Sequence, residues 1–174
     1  GEQTGSVKLS SCIVEDVTSS ITPTVEGAEG TVTFTTPGQV ARISVPVEAG
    51  EQLSFRDSSK MTGNSTAVEV QQPGGAYLTN WNINKEENKR WVGQFKFTQT
   101  GNATIVVDPS SSNTGTVTFL LNIANDKTGE TITPTTEGEA KTFSVDLPGQ
   151  KNFITFRDQK EQQVSLDASN ATLP

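Results

Sequence analysis

One short stretch of the chain holds the residues best suited to binding chemistry. Tyr77, Trp81 and Trp91 are both tryptophans and the only tyrosine of the sequence, and Asn80, Asn82 and Arg90 stand among them. Aromatic faces stack on pyranose rings, and amide or guanidinium groups fix the hydroxyls. Such a set would suit a concave, mixed polar and apolar carbohydrate site. The plainer alternative is that Trp91 begins a strand and packs in a core, while Trp81 covers a sheet edge. Of the two, Trp81 is the better candidate for an exposed ring, being flanked by asparagine on both sides.

Other chemistries find less support. Asp57, Asp108 and Asp158 fall where strands are expected to give way to loops. Calcium needs about six or more oxygen ligands, yet no DxDxDG-like spacing occurs, and "VDPSSSNTG" offers one carboxylate that an Asp-Pro turn explains. Histidine is absent and Cys12 is alone, which removes the usual zinc sites, most nucleophile–base pairs and any disulfide within the chain. The GxSxG elbow, HExxH and the phosphate-binding loop are all missing, so no enzyme, metal or cofactor is expected. Asn64, Asn102 and Asn170 each open an N-x-Ser/Thr sequon beside an expected turn, where a glycan could be tolerated. Lys96, between Phe95 and Phe97, should point outward, which argues against an internal isopeptide bond.

The elements that must position these residues are strands. Only 32% of the 174 residues are hydrophobic, and Val, Ile, Thr and Phe recur in short alternating runs without helix-forming stretches. "GTVTFTT" turns Val32 and Phe34 to one face, and "ARISVPV" does the same for Ile43, Val45 and Val47. Pro46 then faces outward and marks an edge strand. "EQLSFRD", "AVEVQQPGGAYL" and the run from Trp91 to Ile123 bring the total to about eight or nine strands, enough for a β-sandwich. A net charge of −7 argues against nucleic acid. No apolar run approaches the roughly 20 residues of a membrane-spanning helix. Gly1 to Gly5 are polar and unlike a secretion leader, as they would also be in a mature or excised fragment.

The chain also repeats itself. "ITPTVEG" from Ile21 returns as "ITPTTEG" from Ile132, and "TTPGQ" at Thr35–Gln39 as "DLPGQ" at Asp146–Gln150. Asp16 aligns with Asp126 at an offset of 110; one inserted residue later, Gly27 aligns with Gly138 and Gln52 with Gln163 at 111. Apolar faces keep register where identity lapses, as in Val32/Phe143, Val45/Phe156, Leu53/Val164 and Phe55/Leu166. A period of about 110 residues is too long for a solenoid unit and suits a whole sandwich domain. Residues 1–16 then read as the last strand of a preceding repeat or a donated strand, 17–126 as a complete repeat, and 127–174 as the first half of another. That half should supply three strands, in "TFSVDLP", "KNFITFRD" and "QQVSLDAS".

The strings "VTSSITPT", "TVTFTTPGQVARISV", "AGEQLSF", "QQPGGAYL" and "TGNATIVVDP" followed by "TGTVTF" carry a resemblance. Taken together, the chain is similar to bacterial jelly-roll modules related to the pre-peptidase C-terminal domain, which occur in tandem in secreted and surface proteins, often beside Rhs/YD repeats. The resemblance covers nearly the whole chain and rests on turn and strand patterns. It implies an all-β fold of tandem antiparallel, jelly-roll-like modules, an extracellular spacer or adhesion role, and at times sugar or calcium binding. It carries over no catalytic residue. "YLTNWNINKEENKRW" is longer and more charged than that pattern leads one to expect.

The expectation is therefore a structural or adhesive protein at the cell surface, a segment of a stalk or fibre. Its partners would be neighbouring repeats or identical subunits that add strands to the half-repeat. The alternative is a carbohydrate-binding module using the Tyr77–Trp91 segment, with surface glycans as its ligands.

Overall fold

A computed structural model describes residues 5–7, 13–110, 112–157, 159–169 and 171–172. Among them there is no helix, and so none long and apolar enough to cross a membrane. The strands in chain order are β1 (Val17–Ser20), β2 (Ala28–Phe34), β3 (Ala41–Val47), β4 (Gln52–Met61), β5 (Thr66–Gln71), β6 (Tyr77–Ile83), β7 (Glu86–Lys96), β8 (Gly101–Pro109), β9 (Gly115–Ile123), β10 (Lys127–Ile132) and β11 (Asn152–Phe156). The protein is all-β, as its composition predicts.

From β1 to β9 the strands form two sheets, one ordered β1-β3-β8-β5-β6 and the other β2-β9-β4-β7. Successive strands alternate between the sheets, except that β5 and β6 are neighbours joined through the Pro73-Gly74-Gly75 turn. Pairing is antiparallel throughout, apart from β1, which runs parallel to β3. β1 covers β3 only from Ala41 to Ser44, so Pro46 lies where that side of β3 is free of a strand partner. The missing N–H of proline costs nothing at such a place.

Alternation builds the core. Ile43 and Val45 of β3, Leu53 and Phe55 of β4, Val68 and Val70 of β5, Ile105 and Val107 of β8, and Phe119 and Leu121 of β9 are all fully buried in one cluster between the sheets. Burying each such side chain contributes about 1.5–3 kcal/mol, so the sandwich has a core of its own.

Beyond Ala124 the pattern thins. β10 and β11 form a separate parallel pair. Of the three strands the sequence predicts here, only the one at "KNFITFRD" forms; residues 142–148 and 162–169 are not in strands. The cause is the supply of partners. In the sandwich, β2 pairs with β9, and β4 pairs with β7 and β9, strands that come later in the chain; the segments aligned with β2 and β4 have no such strands beside them among the described residues. β1 and β3 pair with each other, and the segments that align with them in sequence, β10 and β11, are the two strands that form. Residues 5–7 and 13–16 are likewise outside strands, while the rest of the expected opening strand lies outside the described residues.

The two parallel pairs share one register. Val17 faces Ala41, Ser19 faces Ile43 and Ser20 faces Ser44; correspondingly Lys127 faces Asn152, Glu130 faces Ile154 and Thr131 faces Thr155. The inserted residue is absorbed as a register shift between Lys127 and Glu130, with Gly129 at a φ of 87°.

Candidate functional site

The two tryptophans exchange the places that the sequence suggests. Trp81 lies on the inner face of β6, in phase with the buried Ile83. Its ring meets Phe55 and Phe119 edge-on at centroid distances of 6.0 and 6.4 Å, and stacks on Phe95 at 6.2 Å. Its indole N–H donates to Asp57 Oδ2 at 2.8 Å. Trp81 is thus half-buried, with one face stacked on Phe95, and it also lines a groove beside Asn80 and Asn82. Trp91, expected to start a strand and enter the core, stands in the middle of β7 and is 53% exposed. Here β4 and β7 shift register twice, between Phe55 and Arg56 and between Asp57 and Ser59, and the even alternation assumed from sequence is lost.

Asp57 lies within β4 rather than at its end, and it is almost fully buried. Arg90 holds it from β7, with Nε on Oδ1 at 3.2 Å and Nη2 on Oδ2 at 2.9 Å, and donates as well to the Asn82 carbonyl at 2.9 Å. The hydrogen bond to Asp57 raises the Arg90 pKa further, against the opposing effect of burial. Trp81 donates to the same Oδ2 as Arg90 Nη2, so both carboxylate oxygens are satisfied by protein groups. Among the described residues no three His, Cys, Asp or Glu side chains gather into a metal-binding group.

Asn80 and Asn82 point the other way, to the outer face of the five-stranded sheet. There they flank a groove of about 240 Å³ with Ala67, Glu69, Val106 and Asp108. Register explains the hollow: Ala67 sits between Asn82 and Asp108, and its short side chain leaves a dent between longer neighbours. Tyr77, 61% exposed, pairs with Gln71 on this same sheet. The structure thus brings Tyr77, Asn80 and Asn82 onto one sheet, while Trp81 turns inward and Arg90 and Trp91 belong to the other sheet.

A second polar cluster joins the sandwich to the segment that follows Ala124. Gln52 and Asp126 bond reciprocally, Gln52 Nε2 to Asp126 Oδ2 at 2.9 Å and Asp126 N to Gln52 Oε1 at 2.8 Å. Gln52 N donates to Asn125 Oδ1 at 2.9 Å, and the side-chain amide of Gln94 donates to the Ala124 carbonyl. The far side of Asp126 is held by Lys151 N, 3.0 Å from Oδ1, and Gln150 Nε2 donates to the Asn125 carbonyl at 2.8 Å. Burial alone would raise the Asp126 pKa, but the hydrogen bonds from Gln52 and the Lys151 amide outweigh it and leave the pKa lowered. Over this clasp lies the Pro148-Gly149 turn. A Cβ on Gly149 would come within 3.0 Å of Ser54 Oγ and 3.2 Å of the Trp91 indole nitrogen.

Half of this clasp exists twice. At the head of the sandwich Asp16 Oδ1 accepts from Val40 N at 3.3 Å, Gln39 Nε2 donates to the Glu15 carbonyl at 3.1 Å, and Gln39 Oε1 accepts from Thr35 N at 2.7 Å. Gln150 Oε1 likewise accepts from Asp146 N at 2.9 Å. Each of these contacts matches its counterpart at the offsets read from the sequence. Asp16 with Asp126 and Gln39 with Gln150 stand out as polar identities in the sequence alignment, though they match no catalytic or ligand motif.

Of the sequons, Asn64 is exposed but its Oδ1 accepts from Lys85 N at 3.3 Å, and its partner Thr66 is buried at the start of β5. Asn102 is exposed near the start of β8. Asn170, Asp158 and Cys12 lie outside the described residues. Lys96 is exposed and Phe97 buried.

No family model and no curated protein matches this chain. Among solved structures, the periplasmic g-type lysozyme inhibitor PliG of Aeromonas hydrophila is similar at 15% identity and a TM-score of 0.38, over 61% of this chain and 97% of that one. The insecticidal delta-endotoxin Cry8Ea1 of Bacillus thuringiensis is similar at 14% identity and a TM-score of 0.37, over 55% of this chain and 20% of the toxin. A β-glucosidase of Paenibacillus barengoltzii is similar at 14% and 0.32, over 59% of this chain and 11% of the enzyme. The chain thus spans only a small part of the last two, and likenesses this slight bear on neither the fold nor the activity of this chain.

Proposed function

We propose that this protein is a segment of a tandem array of jelly-roll modules, an extracellular structural or adhesive element whose function is reach and surface display. The observation that carries this reading is the common register of the two parallel strand pairs, β1 with β3 and β10 with β11, at the repeat offset. The orders β2-β9-β4-β7 and β3-β8-β5-β6 support the jelly-roll form, in which two sheets exchange successive strands. In the half-repeat, Val145, Phe156, Val164 and Leu166 are exposed, whereas the aligned Phe34, Val45, Leu53 and Phe55 are buried. Such a face calls for the missing strands of a neighbouring module or subunit. Electron microscopy of the purified chain, with its mass in solution, tests this. Filaments with a regular repeat, or assemblies that persist on dilution, support completion between subunits. A monomer whose half-repeat stays open in the presence of a second copy rules out that form of completion.

A second reading, carbohydrate binding, is favoured by the groove beside Asn80, Asn82, Glu69 and Asp108, with Tyr77 on the same sheet. Amides and carboxylates there would meet sugar hydroxyls, and Ala67 and Val106 the apolar face of a ring. Glycan-array binding that disappears in Asn80→Ala and Asp108→Ala, with unfolding unchanged, would establish it. Binding that survives both substitutions would remove it.

A further inference from the structure

At Asp126 the clasp has two sides. One faces forward, into the Pro148-Gly149-Gln150 turn and Lys151; the other faces back, into Gln52 and the end of the sandwich. At Asp16 the forward side is made by Val40 and Gln39. On the backward side, among the described residues, the second oxygen of Asp16 meets only Arg42 Nε, at 4.0 Å and well exposed. The turn differs in the same way. Gly149 lies against Ser54 and Trp91, whereas a Cβ on Gly38 would meet nothing closer than Val14 Cγ2 at 3.9 Å.

Resting on the tandem-module reading, we infer that Asp16, Glu15 and the Pro37-Gly38-Gln39 turn form a docking surface for the Gln52–Ser54–Trp91 end of another module of this kind. The chemistry of each contact is available. Asp16 Oδ2 can accept from the glutamine side chain, as Asp126 Oδ2 does, and the Asp16 N–H can donate to its carbonyl oxygen. Glu15 stands where Asn125 does and brings a side-chain oxygen that can accept the Gln52 backbone N–H. Gly38, at a φ of 88° against 85° for Gly149, offers the same side-chain-free turn to a serine and an indole edge. The occupant is thus a second β-sandwich of the same sequence type, seated end to end, and the joint seen once inside this chain is the joint between every pair of modules.

The test is the full chain with a second copy of residues 17–122 placed directly ahead of Ile13, so that Ile13–Asp16 take the places of Ile123–Asp126. The expected result is that the added sandwich and the original tumble as one body in NMR relaxation, and that the Asp16 amide is protected from exchange. Changing Gln52→Ala in the added copy should speed that exchange about tenfold, the scale of one charge-linked hydrogen bond, without altering the joint at Asp126. Two folded sandwiches that tumble independently, or an Asp16 amide indifferent to Gln52→Ala, would overturn the inference and leave the tandem reading standing. An added copy that does not fold as a sandwich would overturn both.

Discussion

Asp57 shows how a single buried charge is made tolerable, and what depends on it. Its carboxylate takes three hydrogen bonds, two from Arg90 and one from Trp81. Removing one partner leaves a charge short of donors in a place water does not reach. Arg90→Ala is expected to lower stability by about 2 kcal/mol, since Arg90 is itself partly exposed, and urea unfolding would measure this. Trp81→Ala should cost about 3–5 kcal/mol, because it empties a site among Phe55, Phe95 and Phe119 and also deprives Asp57 of its third donor. A Trp81→Ala protein of unchanged midpoint would mean that the indole is not held this way. The inward turn of Trp81 was legible two residues away, since Ile83 on the same strand face belongs in a core. The asparagines on either side of Trp81 misled because they lie on the opposite face of the strand, not around the ring. The exposure of Trp91 was not legible, because it depends on the shifts between β4 and β7, which only the paired strands reveal.

Among the elements, pairing decides more than propensity. "TFSVDLP" and "QQVSLDAS" have the alternation of strands, and the first aligns with β2, yet neither forms a strand where its partners are lacking. Alternation is a local property, but a strand exists only in a ladder. The segment after Ala124 should therefore be the first part to be cut by protease. Trypsin is expected to cleave at Lys141, Arg157 and Lys160 before it cuts within β2 to β5, and mass spectrometry of the early fragments would check the order. The clasp that holds this half-repeat should respond to acid. Asp126 has a folded pKa below its ordinary 3.8, and Asp146 is lowered too, chiefly by its hydrogen bond with the Lys127 ammonium. Lowered folded values mean a stabilisation that is complete above the unfolded pKa and fades as pH falls through the folded one. The joint should hold above about pH 4 and loosen below it, seen as faster exchange of the Lys151 amide. In Asp126→Asn this acid dependence should shrink. Gly149→Ala should open the joint even at neutral pH, because the new methyl would press on Ser54 as well as force an unfavourable backbone angle. Gly38→Ala should bring only the backbone penalty of a side chain at positive φ, about 1–2 kcal/mol.

At the scale of the molecule, the matched polar residues and the strand alternation were the most legible features. Paired identities such as Asp16 with Asp126 and Gln39 with Gln150 set an alignment whose contacts recur in space, and alternating apolar residues marked nearly every strand of the sandwich. The groove beside Asn80 and Asn82 was half legible, since the asparagines drew notice while Glu69, Ala67 and Asp108 reach them only through strand pairing. The sandwich also has a direction. β1 starts beside Ala41, at the end with the Gln39 turn, and β9 finishes beside Leu53, at the end with Gln52. Because the chain enters at one end and leaves at the other, a pull on it runs along the strands. β9 lies between β2 and β4 and is hydrogen-bonded to both, and ladder bonds stand perpendicular to the strands. Tension would thus load those two ladders in shear, so that many bonds must give way together instead of peeling one by one. Stretched singly, the sandwich should resist with one high force peak, and the half-repeat, with a single short ladder, should yield earlier at low force.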